Sequence, residues 1–390
     1  MKKTLYLIII ISLTAACFSC KRANDLPFID VRENFAEKEI ILTDIADITY
    51  SCLDSDDENY LFAGSINCIT ENTIVIIDNV SSSILFFSKD GKPKSRFNRT
   101  GRGPEEYLEA RQVVYDEASD DVFVVSFGHN NVLYVYSSMG DYKRKIILPE
   151  GTYIQAFCVF DNESLFVYDA SVERRKFFPL DGDDKTAFFE SHLVRISKSD
   201  GEVLNNVELP NNEIALRDRS TGGPFAGTPF ATCRLIKSKE GVLLCNPETD
   251  TVFFYSKNLS LTPVIYKTPS VKSLDPMVIL NNCADAGRYQ FMDIVTIDAQ
   301  ERFPVKHIMR DKKTGEIYLQ KFVLPDYKGK DFIFNQRQHR NYDGGIYFEL
   351  DLAELKEAYK EGRLNGRLKE LVATLNEDKD NNVSMLVDFK

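Results

Sequence analysis

Few residues in this 390-residue sequence have the type and spacing that chemistry requires. Only four histidines occur, His129, His192, His307 and His339, and none stands in an HExxH or comparable ligand spacing. No CxxC or Cys/His cluster has zinc spacing, and no GxSxG elbow is present. The acidic runs 54–58, 181–184 and 377–380 lack the glycine and terminal bidentate glutamate of an EF-hand, which leaves room for loose calcium binding and no more. Neither a catalytic residue nor a metal ligand nor a cofactor is therefore assigned. Polar side chains gather in three loops. The loop 99–107 carries Arg102, Glu105, Glu106 and Tyr107, and the loop 217–230 carries Arg217 and Arg219 among glycines. The stretch 336–345 (QRQHRNYDGG) carries His339 and Arg340. The second loop lacks the GxxxxGK[ST] order and the following helix of a phosphate loop. All eight side chains are candidate ligand contacts, suited to an anionic or sugar ligand or to a protein partner.

Covalent chemistry is more sharply indicated at the N-terminus. Lys2 and Lys3 precede an apolar stretch from Leu5 to Ala16, too short to span a hydrocarbon core of about 30 Å as a helix. Cys17 and Cys20 follow small residues. A lipoprotein signal is cut before a cysteine whose thiol is then acylated, and Cys20, after Ser19 and before a polar run, fits best; Cys17 is the alternative. This predicts a signal peptide over 1–20, a linker over 21–37, and a body exported to the bacterial cell envelope, anchored by lipid at the periplasmic or outer-membrane surface. The formal net charge of −11 argues against nucleic acid, since phosphates need a basic footprint. Six cysteines remain after the leader; most sit in apolar runs such as QAFCVF and VLLCN, where a thiol behaves as a small core residue.

The elements that must position these groups are strands. From 38 to 349 the chain reads as short β-runs separated by turn signals. Residues 73–97 give strand, polar turn, strand, Asp-Gly turn, strand, and 121–148, 164–209 and 241–267 repeat the unit. Asp90-Gly91, Met139-Gly140 and Asp200-Gly201 fall at the same turn, where a positive φ suits glycine. A period of about 40–60 residues is the signature of radial repetition. The expected fold is an all-β, six-bladed β-propeller over 38–390, with blades near 60–106, 107–149, 150–210, 211–269, 284–327 and 328–390. Its middle strands are expected to alternate apolar residues against neighbouring blades. Residues 38–50 are expected to form a strand pair, and 383–389 to share a blade with the N-terminal strand so that the ring closes. Leucines at helical spacing over 351–375, interrupted by Gly362 and Gly366, predict two short helices or one bent helix inserted in the last blade.

The run Gly101-Arg102-Gly103-Pro104-Glu105-Glu106-Tyr107 resembles the GxGPGEY motif of six-bladed β-propeller lipoproteins of Bacteroides and its relatives, themselves similar to NHL-repeat propellers. Segments 42–55, 74–92 and 376–390 resemble that family's opening, first blade and ending. Glu105 replaces a usual glycine, and Asn382-Val383 replaces a common Asn-Pro. The resemblance implies the propeller and the envelope location and names no activity. The expected function is a binding or scaffold module for a glycan, peptide or protein, attached to the membrane by its N-terminal lipid. The rival is a hydrolase or lyase, lactonase-like and metal-dependent or glycan-active, with its site in the central channel.

Overall fold

A computed structural model describes residues 26–55, 59–171, 192–209, 235–246, 249–335, 340–342 and 344–390. Its sheets form six blades of a β-propeller. Blade 1 comprises Gly64–Ile69, Thr73–Asp78, Ile84–Ser88 and Pro93–Phe97, from the inner to the outer strand. Blade 2 follows as Ala110–Asp116, Asp121–Ser126, His129–Tyr136 and Tyr142–Ile147, and blade 3 as Ile154–Val159, Ser164–Asp169, Leu193–Ser197 and Val203–Val207. Blade 4 is Leu235–Ser238, Gly241–Leu244, Thr251–Ser256 and Leu261–Thr268; blade 5 is Val278–Ala286, Tyr289–Thr296, Val305–Asp311 and Ile317–Val323. Blade 6 takes Arg340–Tyr342, Gly345–Leu350 and Val383–Phe389 from the end of the chain and Ala46–Cys52 from its beginning. The inner strands touch in succession from blade 1 round to blade 6 and back to blade 1.

The second strands show why the core is organised this way. Thr73–Asp78, Asp121–Ser126 and Ser164–Asp169 are buried at every position, so apolar residues fill both faces rather than alternating with polar ones. In TIVIID, Ile74 and Ile76 join the layer between blades 6 and 1, whereas Val75 and Ile77 join the layer between blades 1 and 2. The period of two therefore survives as a choice between two neighbours. The expected packing of middle-strand apolar residues against neighbouring blades is met on both faces.

Turn glycines join the same packing. Gly91, Gly140 and Gly201 have φ of 91°, 86° and 83°. A Cβ at each would collide with the outer strand of the preceding blade, at Cys52, Phe97 and Ile146 respectively. Each turn is thus fixed twice, by its left-handed backbone and by contact with its neighbour.

Three N-terminal segments lie along successive blades. Phe28–Asp30 pairs in parallel with the outer strand of blade 4, and Glu37–Ile41 with that of blade 5. Ala46–Cys52 then becomes the outer strand of blade 6, paired along its whole length with Val383–Phe389. The expected linker over 21–37 is therefore corrected: Ile29, Val31 and Phe35 are buried in the layer between blades 4 and 5. The expected pair over 38–50 is also corrected, because its two strands serve different blades. Ring closure through a shared last blade is as expected. Blade 5 starts at Val278, six residues before its expected limit, and Asn281 and Asn282 lie buried in its inner strand.

The segment between the second and third strands of blade 6 holds two helices, Leu352–Lys360 and Gly366–Thr374. Asp351 caps the first by accepting the Glu354 N–H at 2.9 Å. Gly362, at φ 71°, ends it. Leu352, Leu355, Leu368 and Val372 bury the apolar faces against blades 5 and 6.

Buried Asn381 ties the seam together. Its Nδ2 donates to Leu53 O at 2.7 Å and Tyr60 O at 3.0 Å, and its Oδ1 accepts the Phe62 N–H at 3.2 Å. Asn381→Ala should strand these buried backbone groups and destabilise the fold by about 3 kcal/mol, read as a lowered urea midpoint with an unchanged slope.

Candidate functional site

Within an antiparallel blade, the connections between second and third strands leave at the same end as the connections to the next blade. Both the loop 99–107 and the helical segment 351–382 therefore lie on one face of the ring. The loop folds on itself: Gly101 N donates to Tyr107 O at 2.9 Å, and Tyr107 N donates to Arg99 O at 3.1 Å. The Glu106 carboxylate turns back to accept the Gly103 N–H at 2.8 Å. A Cβ at Gly101 would collide with that carboxylate. Neither Gly101 nor Gly103 has a positive φ, so at both positions glycine gives room rather than a left-handed turn. Glu105 is not left-handed either, so its backbone places no demand for glycine at that position.

Tyr107 is fully buried. Its hydroxyl donates to Ser82 O of blade 1 at 2.9 Å, and its ring meets Tyr136 of blade 2 edge-on. Tyr136 returns a hydrogen bond to Glu105 O at 2.7 Å, and Arg99 Nε donates to Gly140 O at 2.7 Å. Burial pushes the Tyr107 phenol up to about 12. Of the four side chains singled out in this loop, Arg102 and Glu105 are exposed, Glu106 is bound within the loop, and Tyr107 joins two blades with no surface for a ligand.

The remaining candidates fall elsewhere. Cys17, Cys20, Arg217, Arg219 and His339 lie outside the described residues. The backbone of Arg340 belongs to the innermost strand of blade 6 and not to a loop, a correction to the reading of 336–345. Cys52 and Cys68 carry free thiols, and burial pushes both up to about 12, away from reactivity. Among the described residues no three His, Cys, Asp or Glu side chains converge to hold a metal ion.

A cavity of about 640 Å³ opens on the same face where blades 5, 6 and 1 meet. That volume lies within the range of small-ligand sites. Its wall comes from distant parts of the chain: Ser65 from blade 1, His307 from blade 5, Asp331 from the connection to blade 6, Glu349 from blade 6, and Glu354 from the first helix. Asp293 holds His307, with Nδ1 and Oδ1 2.7 Å apart; the two are direct partners across adjacent strands. Glu349 accepts from Asn382 Nδ2 at 2.7 Å, and Asn382 Oδ1 accepts the Leu352 N–H at 2.9 Å. Lys330 pairs with Glu354 at 2.8 Å. Among the described residues, four carboxylates, Asp331, Glu349, Asp351 and Glu354, line the cavity beside one ammonium, Lys330. Carboxylates so placed favour cationic or hydroxyl-rich ligands.

None of the cavity residues was selected by sequence reasoning. His307 lies fourteen residues from Asp293, a distance with no meaning in a motif; only the register of one hairpin unites them. Glu349 and Asn382 are separated by the helical insertion.

A family model described as a domain of unknown function, DUF4934, matches residues 26–388. The chain belongs to this family. Among solved structures, it is similar to a Bacteroides fragilis protein described as exported, with a TM-score of 0.62 and 15% identity over 91% of this chain and 98% of that one. It is also similar to a DUF4221 member from Bacteroides vulgatus, with a TM-score of 0.46 and 10% identity over 89% and 97%. No curated protein matches. The first likeness supports the propeller fold of this DUF4934 member, as does its agreement over nearly the whole of both chains. No helix among the described residues is long and apolar enough to cross a membrane.

If the loop 99–107 serves to join blades 1 and 2, Tyr107→Phe should cost about 1–2 kcal/mol by leaving Ser82 O unpaired, and Tyr107→Ala about 3–5 kcal/mol. Both are measurable by urea unfolding.

Proposed function

We propose that this chain is an exported, lipid-anchored binding module of the cell envelope, and that the cavity between blades 5, 6 and 1 receives a glycan, peptide or protein segment. The observation that carries the reading is the 640 Å³ cavity lined by carboxylates, in which His307 and Glu349 are held in place by Asp293 and Asn382. Preorganised carboxylates and amides match the hydroxyls of a glycan or the amino groups of a basic peptide, because bonds made to fixed partners cost less ordering on binding. The export and anchoring part rests on the leader, with Cys20 as the acylated residue.

A second reading, a propeller hydrolase or lyase, is favoured by one feature. His307 borders the cavity with its ring oriented by Asp293, the arrangement that fixes a histidine tautomer for proton transfer.

Calorimetry of the purified protein against glycan and basic-peptide panels tests both. Glu349→Gln should weaken a cavity ligand by roughly tenfold or more, equivalent to a lost charge-assisted hydrogen bond. Undiminished binding in that variant would remove the cavity from the reading. Turnover of a bound glycan that His307→Ala abolishes, with binding retained, would establish the enzyme instead.

A further inference from the structure

Blade 4 carries an aromatic pair on its outer rim. Phe28 lies opposite Tyr266, and Ile29 opposite Lys267, in the parallel pairing of Phe28–Asp30 with Leu261–Thr268. Alternation sends Ile29 and Lys267 inward, where both are buried, and leaves Phe28 64% and Tyr266 43% exposed. The position of the pair is fixed. Tyr266 N donates to Pro27 O and Val31 N to Thr268 O, both at 2.9 Å, while Ile29, Val31 and Phe35 lock the strand into the layer between blades 4 and 5.

The pair also stands where the chain leaves the propeller towards its N-terminus. Eight residue steps separate Cys20 from Phe28, and a fully extended chain covers them in about 27 Å. A globule of this length measures about 50 Å across. An anchor at Cys20 therefore cannot let the molecule turn its far side, blade 1, to the bilayer. We propose that the rim of blade 4 is the membrane-facing edge, with Phe28 and Tyr266 resting among the lipid headgroups. This rests on the lipid-anchor reading above. The chemistry suits the place: tyrosine combines an apolar ring with a polar tip, phenylalanine adds apolar area, and Lys21 and Arg22 bring positive charge beside the anchor. Blade 1, from which the loop 99–107 leaves, is then held farthest from the bilayer.

The protein contains no tryptophan, so Phe28→Trp introduces a single indole at an exposed position. The full acylated variant is incorporated into vesicles of phosphatidylethanolamine and phosphatidylglycerol with brominated acyl chains. Its emission should fall by at least about twofold relative to unbrominated vesicles, since bromine quenches an indole seated in the interface. Val80→Trp, on the exposed tip of a blade 1 turn, should be unaffected. Acylation is measured on the same preparations by palmitate incorporation and its loss in Cys20→Ser and Cys17→Ser. Labelled protein with an unquenched indole at position 28 would overturn the membrane contact and leave the anchor standing, as would equal quenching at positions 28 and 80. Unlabelled protein would overturn both.

Discussion

Closure of the ring is the constraint on which everything else rests. Each blade is buried on both faces by its neighbours, so an open ring would expose two apolar faces and two rows of unpaired backbone groups. The pairing of Ala46–Cys52 with Val383–Phe389 meets that requirement by bringing the two ends of the chain into one sheet. Asn381 extends the seam into the next connection, since its amide bonds to Leu53, Tyr60 and Phe62 on the way to blade 1. Burial and hydrogen bonding thus act on the same few residues.

Between the other blades, the same task falls to local devices. Gly140 presses on Phe97, Arg99 reaches Gly140 O, and Tyr107 spans from Ser82 to Tyr136, so one cluster around the end of Pro93–Phe97 and the loop after it joins blades 1 and 2. These contacts give the loop 99–107 a structural role. Gly101 makes room for the Glu106 carboxylate that folds the loop, and Tyr107 fills the space between blades. The loop leaves Arg102 and Glu105 exposed to solvent.

The cavity arises where the ring departs from regularity. Blade 6 has a short inner strand and a long helical insertion, and blade 5 sends an extended connection across the same face. The space between these irregular parts is what a ligand would occupy. Two of its polar groups are held by neighbours: His307 by Asp293 and Glu349 by Asn382. Fixed groups of this kind suit recognition, and one oriented histidine leaves a route to proton transfer.

The blade repeat, the turn glycines, the shared last blade and the helical insertion are legible in the sequence. These depend on period, composition and local backbone preference, all of which are written in consecutive residues. It misread Phe28–Phe35 as linker because three short apolar residues carry no period long enough to recognise. It set the start of blade 5 at 284, whereas the inner strand begins at Val278 and carries Asn281 and Asn282 buried within it. It selected Tyr107 as a ligand contact because a residue type and a loop position do not reveal accessibility. The cavity is a product of folding in space, since His307 meets Asp293 through hairpin register and Glu349 meets Asn382 across a folded insertion. Such meetings depend on how strands and blades are set against one another in space, and no spacing along the chain encodes them.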